Sequence, residues 1–233
     1  MKQKIKKFIK GHPLLLKYTR IILNPGKKLP SFKKIMKGKN NTLNISSSAI
    51  LRSCIIEITG NGNKVFIEES VILNNVKLYI IGDKNKIHIS KNVWFNRGGV
   101  IWIEDCNCSA LIGQNCKFED VHIAVTEPNS KITIGDDCLF AYDIDIRTGD
   151  SHSIIDTKSN KRINFAKDVC IGNHVWVASH VSILKGVNIA ANTVIATRST
   201  VTKSFDRENI LIGGSPSKIL KEDINWDINR LTQ

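Results

Sequence analysis

One stretch of the sequence gathers a base, acids and hydroxyls within ten residues: Arg147-Thr148-Gly149-Asp150-Ser151-His152-Ser153-Ile154-Ile155-Asp156. An imidazole changes charge near neutral pH, so a positioned histidine can draw the proton from an attacking hydroxyl and hand it to a leaving group. A carboxylate on its other ring nitrogen would orient it, and Asp143, Asp145, Asp150 and Asp156 all lie close enough along the chain to serve. The sequence alone does not choose among them. Trp176, in Gly172-Asn173-His174-Val175-Trp176, follows 24 residues after the histidine. A plain solvated loop would have the same composition, so the frame carrying these residues decides what they are. Cys106-x-Cys108 has no second matching pair, which argues against zinc.

The frame is a repeat. Segments align at Ile45, Ile67, Ile89, Ile112, Ile134 and Ile171, at intervals of 22, 22, 23, 22 and 37 residues. Four and six positions after each stand further apolar residues: Ala49 and Leu51, Val71 and Leu73, Val93 and Phe95, Cys116 and Phe118, Cys138 and Phe140, Val175 and Val177. Side chains alternate along a strand, so those two positions point inward together. The position between them points outward and holds Ile72, Trp94, Lys117, Leu139 and Trp176. Turn-forming segments recur at a fixed phase, as in Gly60-Asn61-Gly62-Asn63 and Gly82-Asp83-Lys84-Asn85, so each coil has one lengthened corner. The 37-residue interval puts a long excursion at that same corner, with His152 on it.

After Ile171 a bare six-residue period emerges, through Val177, Ile183, Ile189, Ile195 and Val201. Six residues make one short strand and one corner, and three such units close a triangular coil. Stacked coils share an aliphatic ladder inside a narrow prism, which fits 36 isoleucines and only 6% aromatic residues.

The ends read differently. Residues 1–40 hold 13 of the 34 Lys and Arg and no acid, so the net charge of +13 belongs to an arm and implies no basic face on the body. That arm reads as short basic helices broken at Gly11-His12-Pro13 and Asn24-Pro25-Gly26, capping the prism. The β-helix is expected over 41–212 with its loop at about 147–166, and 213–233 as a terminal segment in which Ile224, Ile228 and Leu231 stand at helical spacing. The apolar stretch near Leu14 is interrupted by Lys17 and Arg20, which does not suit a signal or spanning segment; a cytoplasmic protein with reduced thiols is expected.

These residues resemble the hexapeptide-repeat acyltransferases over roughly Ile45 to Leu220. The resemblance implies a left-handed parallel β-helix, which nothing in the periodicity fixes. It is closest to the polysaccharide and sialic-acid O-acetyltransferase branch, where an Asp-Ser-His loop carries the general base and a Trp in the next coil lies beside it. Asp150-Ser151-His152 and Trp176 match those positions. The implied donor is acetyl-CoA, with no metal. Its arm would lie along small-residue corners matching Ser179 and Thr197, with Thr202 and Lys203 following and Lys218 toward a phosphate. Arg198 and Ser217 depart from the family's corner Gly and terminal Ala.

The resemblance further implies a homotrimer acting on a carbohydrate acceptor. The sequence offers no groove or aromatic platform for a nucleic-acid partner, and membrane or polyanion contact is open to the basic arm. A small-molecule acetyltransferase and a non-enzymatic scaffold are the competing readings. The zinc hydratases that share this fold do not fit, because His174 and His180 are six apart and so fall on equivalent places of different faces.

Overall fold

Each coil lays down one strand on each of three walls, and within each wall the strands of successive coils pair in parallel register. In this computed structural model, which describes residues 32–232, the first wall is a seven-stranded sheet of Thr42–Ile45, Lys64–Ile67, Lys86–Ile89, Ser109–Ile112, Lys131–Ile134, Val169–Ile171 and Asn188–Ile189. The second wall rises from Ile50–Arg52 and Ile72–Asn74 through Leu139–Phe140 and Trp176–Val177 to Val194–Ile195 and Leu211–Gly214. The third contains Lys33–Lys37, Ile55–Thr59, Val76–Ile81, Ile144–Arg147, Ser182–Ile183 and Thr200–Val201. Two long strands, Trp94–Glu104 and Lys117–Val125, run from the second wall around its corner onto the third. The result is an all-β parallel solenoid.

The apolar positions of the repeat line its interior. From Ile67, Val71 and Leu73 up to Ile171, Val175 and Val177 all are buried, while Ile45, Ala49 and Leu51 of the first coil pack against the core from a partly exposed end. Phe95, Phe118 and Phe140 stack at 4.4 and 4.7 Å, one per coil, inside the prism. The outward column Ile72, Trp94, Lys117, Leu139, Trp176 is in register as the alternation requires. Burial pushes the Cys54 thiol up and that of Cys108 to about 11, so these cysteines act as small apolar fillers rather than nucleophiles.

The lengthened corner lies between the third wall and the first. Backbone there approaches so closely that a Cβ on Gly60 would meet the Gly82 carbonyl oxygen at 2.0 Å, and one on Gly82 would meet that of Asp105 at 1.8 Å. Beside it a column of buried asparagines ties coil to coil: the Asn85 and Cys108 amides donate to Asn63 Oδ1 and Asn85 Oδ1 at 2.9 and 2.8 Å.

Both ends depart from expectation. Residues 1–31 of the arm lie outside the described residues, but Lys33–Lys37 is a strand paired with Ile55–Thr59, so the solenoid begins before residue 41. Among the described residues the expected C-terminal helix is absent. Ser217–Lys221 instead folds back antiparallel on Leu211–Gly214, and the tail beyond it is irregular. Asn and Asp alternate there with other residues and bond local amides, as when Asn225 Oδ1 takes Trp226 N–H at 2.8 Å and Asp227 Oδ1 takes Asn229 N–H at 2.7 Å. Such bonds compete with helix, and with Leu231 82% exposed no apolar stripe is buried to offset them.

Candidate active site

The excursion leaves the third wall after Arg147 and returns at Lys167, whose amide donates to the Thr148 carbonyl at 2.9 Å. Gly149 fits because a Cβ there would stand 2.6 Å from Thr126 Oγ1. Beyond it the His152 amide donates to the Asp150 carbonyl at 2.8 Å across Ser151, whose φ is +64°. This is a tight three-residue turn of the strained kind, and it holds the histidine outward. Ile155–Asp156 and Lys161–Arg162 then pair as a small antiparallel hairpin.

Asn164, buried at 6% exposure, ties the excursion together. Its Nδ2 donates to Asp150 Oδ2 at 2.8 Å and to the His152 carbonyl at 2.7 Å. Its Oδ1 accepts Ile154 N–H at 2.7 Å and Arg162 Nε–H at 3.1 Å, so both donors and the acceptor of the amide are engaged. Sequence reading missed this residue, since an Asn in a loop carries no pattern. Arg162 also pairs with Glu127 on the coil below.

His152 is exposed over a cavity of about 180 Å³ lined by Glu104, Asp105, Thr126 and Glu127. None of the four candidate aspartates meets its ring. Asp150 is held by Lys185 and Asn164, and the ammonium beside it, together with that amide, keeps its carboxyl below the usual range. Asp143 pairs with His180 Nδ1 at 2.6 Å. Asp145 is partly buried, which alone would raise its pKa, but His122 at 3.0 Å and Arg147 at 2.7 Å outweigh this and hold it low. Asp156 accepts from Ser159, which lowers its pKa. Asp150 therefore braces the loop backbone in this structure.

Trp176 stands elsewhere, on the second wall, at 38% exposure. That wall faces the corner from which the His152 loop departs, so one chain does not bring the two side chains together. Ser179 and Thr197 stack at the corner between second and third walls, where Thr197 Oγ1 donates to the Ser179 carbonyl at 2.8 Å. Arg198 takes the corner φ of +57° without a glycine. Thr202 and Lys203 belong to the His152 side: the Ser182–Thr200 pairing places Lys203 one coil above Lys185. Lys218 is exposed on the terminal hairpin opposite Gly213. Ser217 at 2% exposure has its hydroxyl 3.1 Å from the Thr200 carbonyl, which gives the departure from Ala a structural use.

The chain is 36% identical to the polysialic acid O-acetyltransferase of Neisseria meningitidis over 189 residues, 81% of this chain and 86% of that protein. It belongs to the hexapeptide-repeat acetyltransferase family. Another relative in this acyltransferase family, the polysialic acid O-acetyltransferase of Escherichia coli O1:K1 / APEC, is 39% identical over 102 residues, which is 44% of this chain and only 33% of that protein. Among solved structures, the polysialic acid O-acetyltransferase OatWY superposes with a TM-score of 0.82 at 35% identity, covering 85% of this chain and 92% of that one. The polySia-specific acetyltransferase NeuO gives 0.78 at 32% identity, covering 87% and 92%. No family model matches the chain.

Proposed function

We propose that this acetyltransferase moves an acetyl group from acetyl-CoA to a hydroxyl of a bacterial capsule-type polysaccharide, with His152 as general base. The observation that carries the reading is the strained turn that holds His152 outward over a cavity on an excursion of the solenoid. Similarity to polysialic acid O-acetyltransferases over 81% of the chain supports the acceptor class. His152 would take the acceptor proton as that oxygen attacks the thioester carbon, and the imidazolium would then protonate the departing thiolate. A backbone N–H of the Trp176 coil would receive the developing oxyanion.

The reading includes left-handed winding and a homotrimer whose sites lie between copies. With His152 at one corner and Trp176 on the opposite wall, a site using both needs one from each of two chains, a heterologous contact that closes into a ring. Ser179 and Thr197 would then carry the pantetheine arm from one chain, with Thr202, Lys203 and the neighbouring His152 from the next, and Lys218 toward a CoA phosphate. The six free thiols suit a reducing compartment.

The test is to incubate the protein with acetyl-CoA and a panel of sialic-acid, capsule and lipopolysaccharide sugars and to follow free thiol. Acceptor-dependent release with one sugar class is expected. Release with small-molecule acceptors alone, or with none, overturns the reading.

A further inference from the structure

The second wall has two edges, and they are built differently. On the edge toward the third wall stand Ser179 and Thr197, the proposed donor column. On the edge toward the first wall the C-terminal tail returns to the solenoid. There the Trp226 ring lies parallel to that of His174, with centroids 4.3 Å apart and planes within 10°. Its indole N–H donates to the His174 carbonyl at 2.8 Å, and its centroid is 6.1 Å from that of Trp176.

Below His174, one residue per coil, come Asp137, Asn115 and Asn92, each with φ near +60° (58, 61 and 60°). Asn92 Nδ2 donates to Asn115 Oδ1 at 3.1 Å and Asn115 Nδ2 to Asp137 Oδ1 at 2.9 Å, so the column is fixed in orientation along its length. The tail from Trp226 to Asn229 faces this column, braced by the Asp227 carboxylate, which accepts both the backbone and the side-chain N–H of Asn229 at 2.7 and 2.9 Å. Between them is a cleft of about 610 Å³, with Lys117 and Leu139 of the second wall contributing to its lining. Three coil spacings separate Asn92 from His174, roughly 14 Å along the solenoid at the usual strand separation.

We infer that this cleft binds the stretch of acceptor glycan that flanks the acetylated residue, with Trp226 under the sugar nearest Trp176. The inference rests on the acetyltransferase reading above and adds the acceptor's path to it. Trp176 separates the cleft from the donor column, so a chain lying in the cleft would meet the thioester from the opposite side. Fixed amides offer N–H and C=O groups to hydroxyls, and an indole offers a flat apolar face to the C–H side of a pyranose ring. Lys117 can meet one sugar carboxylate, and with Asp137 and Asp227 the lining holds one cation against two carboxylates, which suits a hydroxyl-rich, sparsely charged stretch of glycan and not a polyphosphate.

The test uses the full-length protein with Trp226→Ala and, two coils below His174, Asn115→Gly, which keeps the left-handed φ without strain. Thiol release is measured with a polymeric acceptor and with its monosaccharide. Each variant should raise the KM for the polymer roughly tenfold while the KM values for the monosaccharide and for acetyl-CoA change less than about twofold. An unchanged polymer KM overturns the inference, as does an equal rise for the monosaccharide or a rise for acetyl-CoA, which would make Trp226 a prop for Trp176 or part of the donor groove. Saturation-transfer NMR without acetyl-CoA, using polysialic acid fragments and a neutral galactan as probes, separates this from failure of the enzyme reading. Transfer seen with the native protein and lost in both variants supports the cleft even without turnover, and no transfer from either probe overturns it.

Discussion

The coils and the excursion between Arg147 and Lys167 use the same kinds of bond in opposite ways. In the coils the asparagine tie is repeated one turn up, as Asn63 and Asn85 show, and the stacked phenylalanines repeat the apolar contact. In the excursion each tie occurs once, and four of them meet at the Asn164 side chain. Repetition spreads the loss of any one contact over its neighbours and gives a stiff support. A single hub gives one loop geometry, sensitive to one residue. The comparison teaches that stability and activity should separate cleanly between the two regions.

The largest expected effect is on the excursion's exposed base. His152→Ala should lower acetyl transfer by about 10²- to 10⁴-fold with the melting temperature unchanged, since the residue occupies no ladder position. Thiol-release kinetics beside a thermal melt check this. Activity within a few-fold of the native level would move the base to His180, which already pairs with Asp143 at 2.6 Å.

Phe118→Ala should do the reverse, costing about 3–5 kcal/mol of stability because it opens the middle of the aromatic stack. Chemical denaturation reads the loss, and whatever enzyme stays folded should keep its turnover. A comparable drop in turnover of the folded fraction would mean that the coils are not a passive support.

Asn164→Ala lies between these extremes. Losing its bonds to Asp150 and to the His152 carbonyl, at about 1 kcal/mol each, should lower kcat roughly ten- to thirtyfold while the solenoid melts within a few degrees of the native protein. A variant that melts far lower, with normal turnover while folded, would show that the hub serves the coils.

The smallest effect is on loop order with pH. Lys185 holds the Asp150 carboxyl below its ordinary value, so this contribution is fully present above the unfolded-state pKa and is lost as pH falls through the folded one. Limited proteolysis within 150–163 should therefore rise below about pH 4, with the coils still protected. Lys185→Met should move that onset to higher pH, and an unmoved onset would remove Asp150 as the brace.

The sequence by itself determined the repeat, the inward and outward columns and the place of the excursion. Period and alternation are properties of successive residues in an extended chain, and the lengthened corner appears as extra residues at a constant phase. Only the tertiary structure decided which carboxylate meets which histidine, because Asp143 and His180 are separated by 37 residues and become neighbours through coil stacking. It decided Asn164 as the hub, since a buried amide in an irregular loop leaves no pattern. At the ends it replaced an expected helix with a hairpin and an irregular tail that carries Trp226 onto His174, 52 residues earlier in the chain. Spacing at Ile224, Ile228 and Leu231 states a capacity for helix, but Ile228 and Leu231 stay exposed, so no apolar stripe is buried to realise it.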